Sequence, residues 1–260
     1  MSDPYVASIK GSIFSINPDA RVIDVTHDIR PQAIEQGVFA LQYALPYLPP
    51  HSIHVIVVDP GVGTDRRALA LVTPDHTFIA PDNGLLSAAL PDDMRSRASG
   101  EPAPVELSNG FAAYELANDE FHRKPVSITF HGRDIFSPVA AHLSLGVQPK
   151  SLGPRVSQVV AISPFAGRLH DDGTLGGRVI YVDRYGNLIT DIRAEQLPSK
   201  NAGIKIAERT IAGTSRTYAE ASTLTAIIAS TGFLAIAVPN GSAAEELGVD
   251  VGEAVTVSRA

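Results

Sequence analysis

The chain has 260 residues, no cysteine and a formal net charge of -7, with 44% hydrophobic and 19% charged residues. The lack of cysteine excludes thiol nucleophiles, disulfide frameworks and thiolate metal sites. Lys and Arg are scattered along an acidic chain, so no basic footprint for nucleic acid is present. No apolar run approaches the roughly 18 residues of a membrane span. No secretory signal follows Met1, and we therefore expect a cytoplasmic protein.

The first part of the chain alternates short β-branched runs with helical patterns, which is typical of βαβ units around a mostly parallel sheet. One helix is predicted over 34–45, where apolar residues recur at helical spacing after Pro31. A second helix is predicted over 134–146, with Gly146 as its C-cap. The predicted strands are 21–25, 53–58, 68–72, 77–80 and 126–130. Residues 1–150 are therefore expected to form an α/β domain.

From about Val147, proline and glycine become frequent and helical periodicity is lost, which predicts a linker over 151–166. Beyond it, short strands separated by turns predict a small all-β barrel or sandwich. Its predicted strands are 178–183, 188–192, 204–208, 223–229, 233–238 and 254–258. We expect residues 167–260 to form this smaller, barrel-like domain.

Four predicted strands of the first domain end in polar, turn-forming sequences, namely DVTHDI, DPGVGTDRR, PDNGLL and HGRD. Ligands of open parallel sheets bind outside the carboxyl ends of the strands, so these ends together predict a pocket. Each sequence alone is also an ordinary turn.

Three side chains near these strand ends are candidates for activating a water molecule: Asp59, Arg66 and His131. A carboxylate or an imidazole can accept a proton, while a guanidinium favours the anion that forms. Arg67 competes with Arg66 for the guanidinium role. His131 alone is equally consistent with a surface histidine at a helix start.

Metal and phosphate sites are not predicted. No HxH or HExxH pattern exists, and structural roles are expected for His51 and His54 near a strand entrance. The sequence Gly61-Val62-Gly63 lacks the third glycine of a dinucleotide fingerprint and the Lys-Ser/Thr of a P-loop.

Two turns of the second domain have both a structural and a binding interpretation. The turn 183–187 is typical of a hairpin, but Tyr185 also offers an aromatic face to a nucleobase, with carboxylate and amide groups beside it. The turn 230–232 is a second hairpin tip. Either turn alone would be judged structural.

Six motifs in order resemble the S-adenosyl-L-methionine hydroxide adenosyltransferase family, which is related to fluorinating and chlorinating enzymes. The motifs are SDPYVASIKG, DVTHDI, VVDPGVGTDRR, IAPDNGLL, TFHGRDIFSPVAAHL and DRYGNLITDI. They cover nearly the whole chain, and their order and spacing make the resemblance specific.

The resemblance implies an α/β domain, a β-barrel domain and a homotrimer with active sites between subunits. It implies that water displaces L-methionine from S-adenosyl-L-methionine to give adenosine, with no metal and no further cofactor. The family's water-activating triad matches Asp59, Arg66 and His131. The implied substrate-binding residues are Asp3, Phe130, Asp183, Tyr185, Asn187 and Ser230.

Several positions depart from patterns in the family. The fluorinating relatives have a tyrosine in place of Asp59 and a serine in place of Gly132, and both departures favour water as the nucleophile. Thr231 replaces the arginine of those relatives, and Ala235 replaces a frequent glutamate. Family members also begin with an extra strand whose aspartate holds the ribose, and we expect that the start at Met1 is misassigned.

Three functions therefore remain open from the sequence. The first is hydrolysis of S-adenosyl-L-methionine. The second is a catalytically idle trimer that binds adenosine or S-adenosyl-L-methionine, which is favoured if the first strand is absent. The third is halide transfer to the same carbon.

Overall fold

The computed structural model describes residues 3–98 and 101–258 of the chain. The chain divides into two compact units, Met1–Pro164 and Phe165–Ala260. Within the described ranges, no helix has both the length and the apolar character needed to cross a bilayer.

The first unit combines helices with short strands. Its helices are α1 (Tyr5–Ile16), α2 (Ile34–Ala44), α3 (Asp92–Arg95) and α4 (Ser137–Ser144). Its strands are β1 (Ile53–Val55), β2 (Ala68–Val72), β3 (Thr77–Pro81), β4 (Ala103–Glu106), β5 (Ala112–Glu115), β6 (Arg155–Val156) and β7 (Gln158–Ala161). The larger sheet has the order β1-β3-β2-β5-β6, and β4 pairs with β7. Strands β6 and β7 lie within the segment 151–166 that was expected to be a linker.

The sheet of the first unit is mixed rather than mostly parallel. Strands β1 and β3 pair in parallel, whereas β2 is antiparallel to β3 and to β5. The predicted strands 21–25 and 126–130 are wrong, because neither segment is a strand in the structure. A strand needs a hydrogen-bonded neighbour, and in the described part of the chain these segments have no ladder partner. Their apolar side chains are accordingly left in solvent, with Ile23 69% and Ile128 77% exposed.

The predicted helices agree with the structure except at their ends. Helix α2 buries Val38 and Leu41, and a short 3-10 turn continues it. The helix expected from Asp134 begins within a π-helical turn, Gly132–Phe136, which leads directly into α4. The first helix, α1, was not predicted. Its buried residues are Ser12 and Ile13, so the buried face of this helix is narrow.

The second unit is a barrel-like antiparallel sheet. Its strands are β8 (Arg168–Leu169), β9 (Leu175–Val182), β10 (Leu188–Arg193), β11 (Gly203–Ile206), β12 (Arg209–Ala212), β13 (Thr225–Ile228), β14 (Phe233–Ala237) and β15 (Ala254–Val257), and one short helix, α5, spans Ala243–Leu247. The strand order is β12-β11-β15-β9-β10-β14-β13, with β8 added beside β9. Alternate apolar side chains of these strands form one buried core.

Candidate active site

The loop after β1 is held just before its start by a side chain and in its middle by a close backbone contact. The Asn83 side chain donates to the carbonyl of Val58 at 2.9 Å, just before the loop. In the middle of the loop, Gly63 has φ 79° and lies against the carbonyl oxygen of Ile128. A Cβ at this glycine would be 2.5 Å from that oxygen. Glycine is therefore required where the loop meets the chain that leads to His131.

This contact brings Asp59, Arg66 and His131 together. Arg66 Nε donates to the two carboxylate oxygens of Asp59 at 2.9 and 3.1 Å, and its Nη2 also donates to Asp59 Oδ2. The same Nη2 donates to His131 Nδ1 at 2.8 Å. The guanidinium therefore lies between the carboxylate and the imidazole and contacts both.

The environment fixes the orientation of the Arg66 guanidinium. Its Cζ lies 5.4 Å from the centre of the Phe136 ring, a cation–π distance. The side chains of Arg66 and Asp59 are only 10% and 6% exposed. Ion pairs that are largely shielded from water are less screened than surface pairs, so the attraction between these two side chains is strong.

The neighbouring Arg67 has a different partner. Its Nε and Nη2 donate to Asp82 Oδ2 at 2.9 and 2.5 Å, and Nη2 also donates to the carbonyl of Gln158. Asp82 Oδ1 in turn accepts from the backbone N–H of Val160 at 2.7 Å. Of the two arginines that sequence left open, Arg66 is thus the one beside Asp59 and His131. The roles of Asp82 and Phe136 were not predicted, since both depend on long-range contacts.

The His131 imidazole is half-buried, and burial lowers its pKa below the ordinary value, helped by the positive charge of Arg66. The carboxylates of Asp59 and Asp134 oppose this shift but do not reverse it. The lowered pKa favours the neutral imidazole at neutral pH.

Residues after His131 anchor it in the unit. Asp134 is fully buried and accepts from the Arg133 side chain and from the backbone N–H of Ser127 at 2.9 Å. Burial alone would raise the pKa of Asp134, but these hydrogen bonds and the nearby positive charges hold it below its ordinary value. Arg133 also lies over the Phe130 ring at 5.0 Å, and Tyr5 meets that ring edge-on. Phe130, a predicted substrate-binding residue, is thus packed between two side chains.

Three of the four polar segments predicted to end strands, DPGVGTDRR, PDNGLL and HGRD, meet in the structure through the contacts of Arg66, Arg67 and Asn83 described above. In the fourth, DVTHDI, Asp24 pairs instead with Lys10 at 2.6 Å and His27 at 3.0 Å. Asp3, a predicted substrate-binding residue, is exposed and precedes α1. In the ranges 3–98 and 101–258, no group of three or more His, Asp or Glu side chains is arranged to hold a metal.

Three predicted substrate-binding residues of the second unit share one turn between β9 and β10. Asp183 Oδ1 accepts from the backbone N–H groups of Tyr185 and Asn187, and Oδ2 accepts from the Asn187 side chain at 2.8 Å. These bonds hold the turn, and they leave the Tyr185 ring 78% exposed. An exposed aromatic ring beside a carboxylate and an amide can stack on a base and bind its polar edge.

Ser230 is not part of this group. It lies in the turn before β14, whose first residue Phe233 pairs with Arg193 at the end of β10. The turn with Asp183 lies at the other end, where Leu188 begins β10. The two predicted binding turns therefore lie at opposite ends of one strand.

Comparison with known proteins adds to this geometry. The chain matches the model of the SAM hydroxide adenosyltransferase N-terminal domain over residues 1–153 and that of the C-terminal domain over residues 177–256. It belongs to the SAM hydroxide adenosyltransferase family. It is 37% identical to an (R)-S-adenosyl-L-methionine hydrolase of Salinispora tropica, over 99% of this chain and 94% of the relative. A fluorinase of Nocardia brasiliensis is more distant, 25% identical over 99% of this chain and 93% of that enzyme.

A solved structure gives the same result for the fold. The crystal structure of a conserved protein from Thermotoga maritima aligns with a TM-score of 0.83 and 30% identity, covering 100% of this chain and 97% of that one. The family resemblance of the sequence motifs is therefore confirmed.

Proposed function

We propose that this protein hydrolyses S-adenosyl-L-methionine, with water displacing L-methionine at C5′ to give adenosine. The observation that carries the proposal is the contact of Arg66 with both Asp59 and His131 in a member of this family. The named hydrolase at 37% identity supports the choice of substrate.

The chemistry of the substrate matches what this site supplies. The leaving group carries a positive sulfur and departs as a neutral thioether, so it needs no acid. The reaction needs an aligned water, a proton acceptor and a site that excludes bulk water. Asp59, Arg66 and His131 provide polar groups at one place, where Asp59 and Arg66 have little exposure to solvent and His131 is half-buried. No step of the proposed reaction calls for a metal or a further cofactor.

For binding, we propose that Tyr185 stacks on the adenine and that Asp183 and Asn187 contact the nucleoside. The exposure of the Tyr185 ring and the ordered turn beneath it support this assignment. Phe130, Asp3 and Ser230 are proposed to contact other parts of the substrate.

We also propose a homotrimer with active sites between subunits. Analytical ultracentrifugation of the purified protein would test this, and the expected mass is three times that of the chain. The cytoplasmic location stays a prediction.

The test is an assay of the purified protein with S-adenosyl-L-methionine in heavy-oxygen water, with and without halide. Adenosine that carries the heavy oxygen at the 5′ position is the expected product. Formation of 5′-halo-5′-deoxyadenosine would show a halide-using enzyme instead. Bound but unchanged S-adenosyl-L-methionine would show an idle binder.

Alanine variants of Asp59 and His131 test the site assignment. Each substitution is expected to lower turnover by about 10²-fold or more with little change in substrate affinity, because these groups act on the nucleophile. Asp65→Ala is the matched control, since Asp65 is an exposed carboxylate of the same loop. Normal turnover in both site variants would refute the assignment.

A further inference from the structure

The hydrogen bond between Arg66 and His131 determines which imidazole nitrogen carries the proton. Arg66 Nη2 lies 2.8 Å from His131 Nδ1. A guanidinium has only N–H donors and no acceptor, so Nδ1 accepts this bond and must be unprotonated. In a neutral imidazole the single proton then resides on Nε2.

The environment of Arg66 prevents it from turning away to release Nδ1. Its guanidinium is held by the Asp59 carboxylate on one edge and by the Phe136 ring against its face. The alternative tautomer, with the proton on Nδ1, would place two hydrogens between Nη2 and Nδ1. A doubly protonated imidazole would have the same clash and would add a like charge beside Arg66.

A histidine in this state cannot take a proton from water. Its Nδ1 lone pair is occupied by Arg66, and its Nε2 already carries a hydrogen. It can donate that hydrogen to the oxygen of a water molecule and so orient the water's remaining lone pair. The lowered pKa of His131 agrees with a neutral ring.

The carboxylate of Asp59 is the remaining candidate for the base. A carboxylate offers about four lone-pair positions on its two oxygens. The contacts with Arg66 use at most three of these positions. One position is therefore left for a water hydrogen.

We propose that His131 acts as an Nε2–H donor that holds the attacking water, and that Asp59 rather than His131 accepts the water's proton. The inference about the base rests on the proposed function, whereas the tautomer rests on geometry alone. In the proposed step a water lone pair forms the C–O bond at C5′, and the C5′–S electron pair leaves with sulfur. One water proton passes to Asp59, and the other stays as the 5′-hydroxyl of adenosine. Asp59 then loses its proton to solvent.

A carboxylate is a suitable proton acceptor for this step. Water bonded to carbon becomes strongly acidic as the C–O bond forms, so a weak base suffices late in the reaction. Arg66 holds the Asp59 carboxylate in position until the proton is transferred.

Nuclear magnetic resonance tests the tautomer without any substrate. Long-range 1H–15N correlations of protein labelled in its histidine rings distinguish protonated from unprotonated ring nitrogens, and His131→Gln identifies the His131 signals. We expect a protonated Nε2 and an unprotonated Nδ1 near neutral pH. Arg66→Met, which keeps an apolar stem beside Phe136, should weaken this preference and shift the Nδ1 signal, whereas the distant His142→Gln should do neither. A proton on Nδ1, or an unchanged spectrum in Arg66→Met, would overturn the inference.

Turnover tests the role of the base. Glutamine at position 131 can present an N–H near the position of Nε2 but cannot act as a base at neutral pH. Asparagine reaches only the position of Nδ1. We therefore expect His131→Gln to turn over at least about tenfold faster than His131→Asn, and Asp59→Asn to be inactive. Equal loss in both His131 variants, with activity retained in Asp59→Asn, would identify His131 as the base.

Failure of the proposed function has a different signature. If the unmodified protein releases no adenosine, the hydrolase proposal and the role of Asp59 as base both fail. The tautomer would still be decided by the histidine spectra, because that measurement needs no turnover. A folded state in each variant is verified by its thermal unfolding.

Discussion

Buried His54 should make the first unit less stable as the pH falls. His54 is 8% exposed, and its ring stacks on the Phe78 ring with 4.8 Å between the ring centres. The distance from His54 Nε2 to His76 Nδ1 is 3.2 Å. Burial, with the neighbouring His76, lowers the pKa of His54 from 6.5 to about 4. Because the folded pKa lies below the unfolded one, the stabilisation is present above the unfolded pKa. It is lost as the pH falls through the window from 6.5 to about 4.

The magnitude follows from these two pKa values. At pH 5 an unfolded histidine is almost fully protonated, whereas folded His54 is only about one-tenth protonated. Linkage then predicts that the free energy of unfolding falls by about 2 kcal/mol between pH 7.5 and pH 5. The total fall is about 3 kcal/mol once folded His54 is also fully protonated. A loss of this size is large against the typical free energy of unfolding of about 5–15 kcal/mol.

Urea unfolding at the two pH values measures this loss. Helical circular dichroism reports mainly on the first unit, since α1, α2 and α4 all lie there. The matched variant is His54→Gln, which keeps a polar group but does not titrate in this range. Burial also lowers the pKa values of His122 and His142, so these residues add to the pH dependence of both proteins. The contribution of His54 is therefore the change in unfolding free energy of the wild type minus that of the variant. An equal pH dependence in both proteins would refute the reasoning.

Two further predictions use matched pairs of variants. Gly63→Ala places a Cβ against the Ile128 carbonyl and should lower turnover at least about tenfold, with a stability loss of about 1–3 kcal/mol. Gly146→Ala shares the positive φ but meets nothing within 4 Å, so it should lose some stability and keep its turnover; equal turnover in both variants would contradict this. Arg95 is fully buried and donates to two backbone carbonyls, so Arg95→Met should lower the free energy of unfolding by about 3 kcal/mol. Exposed Arg97→Met should change it by less than about 0.5 kcal/mol in the same urea titration, and matching losses would contradict the role of Arg95.

Sequence patterns predicted elements where local signals and packing agree. The predicted strand 68–72 has the bounds of β2, and the helix predicted over 34–45 is α2 with one added residue. The pattern failed at 21–25 and 126–130, which have strand-like composition but no neighbouring strand in the described chain. Strand propensity describes how a side chain fits a pleated surface, so it cannot reveal whether a partner is present.

The candidate site shows the same division between local and long-range information. Asp59 lies seven positions before Arg66 in one loop, so the sequence indicates that this carboxylate can meet one of the two adjacent arginines, Arg66 or Arg67. The contact of Arg66 with His131 spans 65 residues and depends on the close approach at Gly63. The choice between Arg66 and Arg67 therefore required the structure, and so did the separation of Ser230 from Asp183.

The charge balance of the site bears on the choice of nucleophile. An uncompensated guanidinium would attract an anion such as halide, but Arg66 is already neutralised by Asp59 in a setting largely shielded from water. With a neutral His131, the three side chains together carry no net charge. A halide ion that entered the site would lose its hydration without gaining a compensating cation. A neutral water molecule loses less hydration free energy and gains a hydrogen-bond donor and an acceptor. The arrangement of Asp59, Arg66 and His131 therefore favours water over halide on electrostatic grounds, independently of any comparison with relatives.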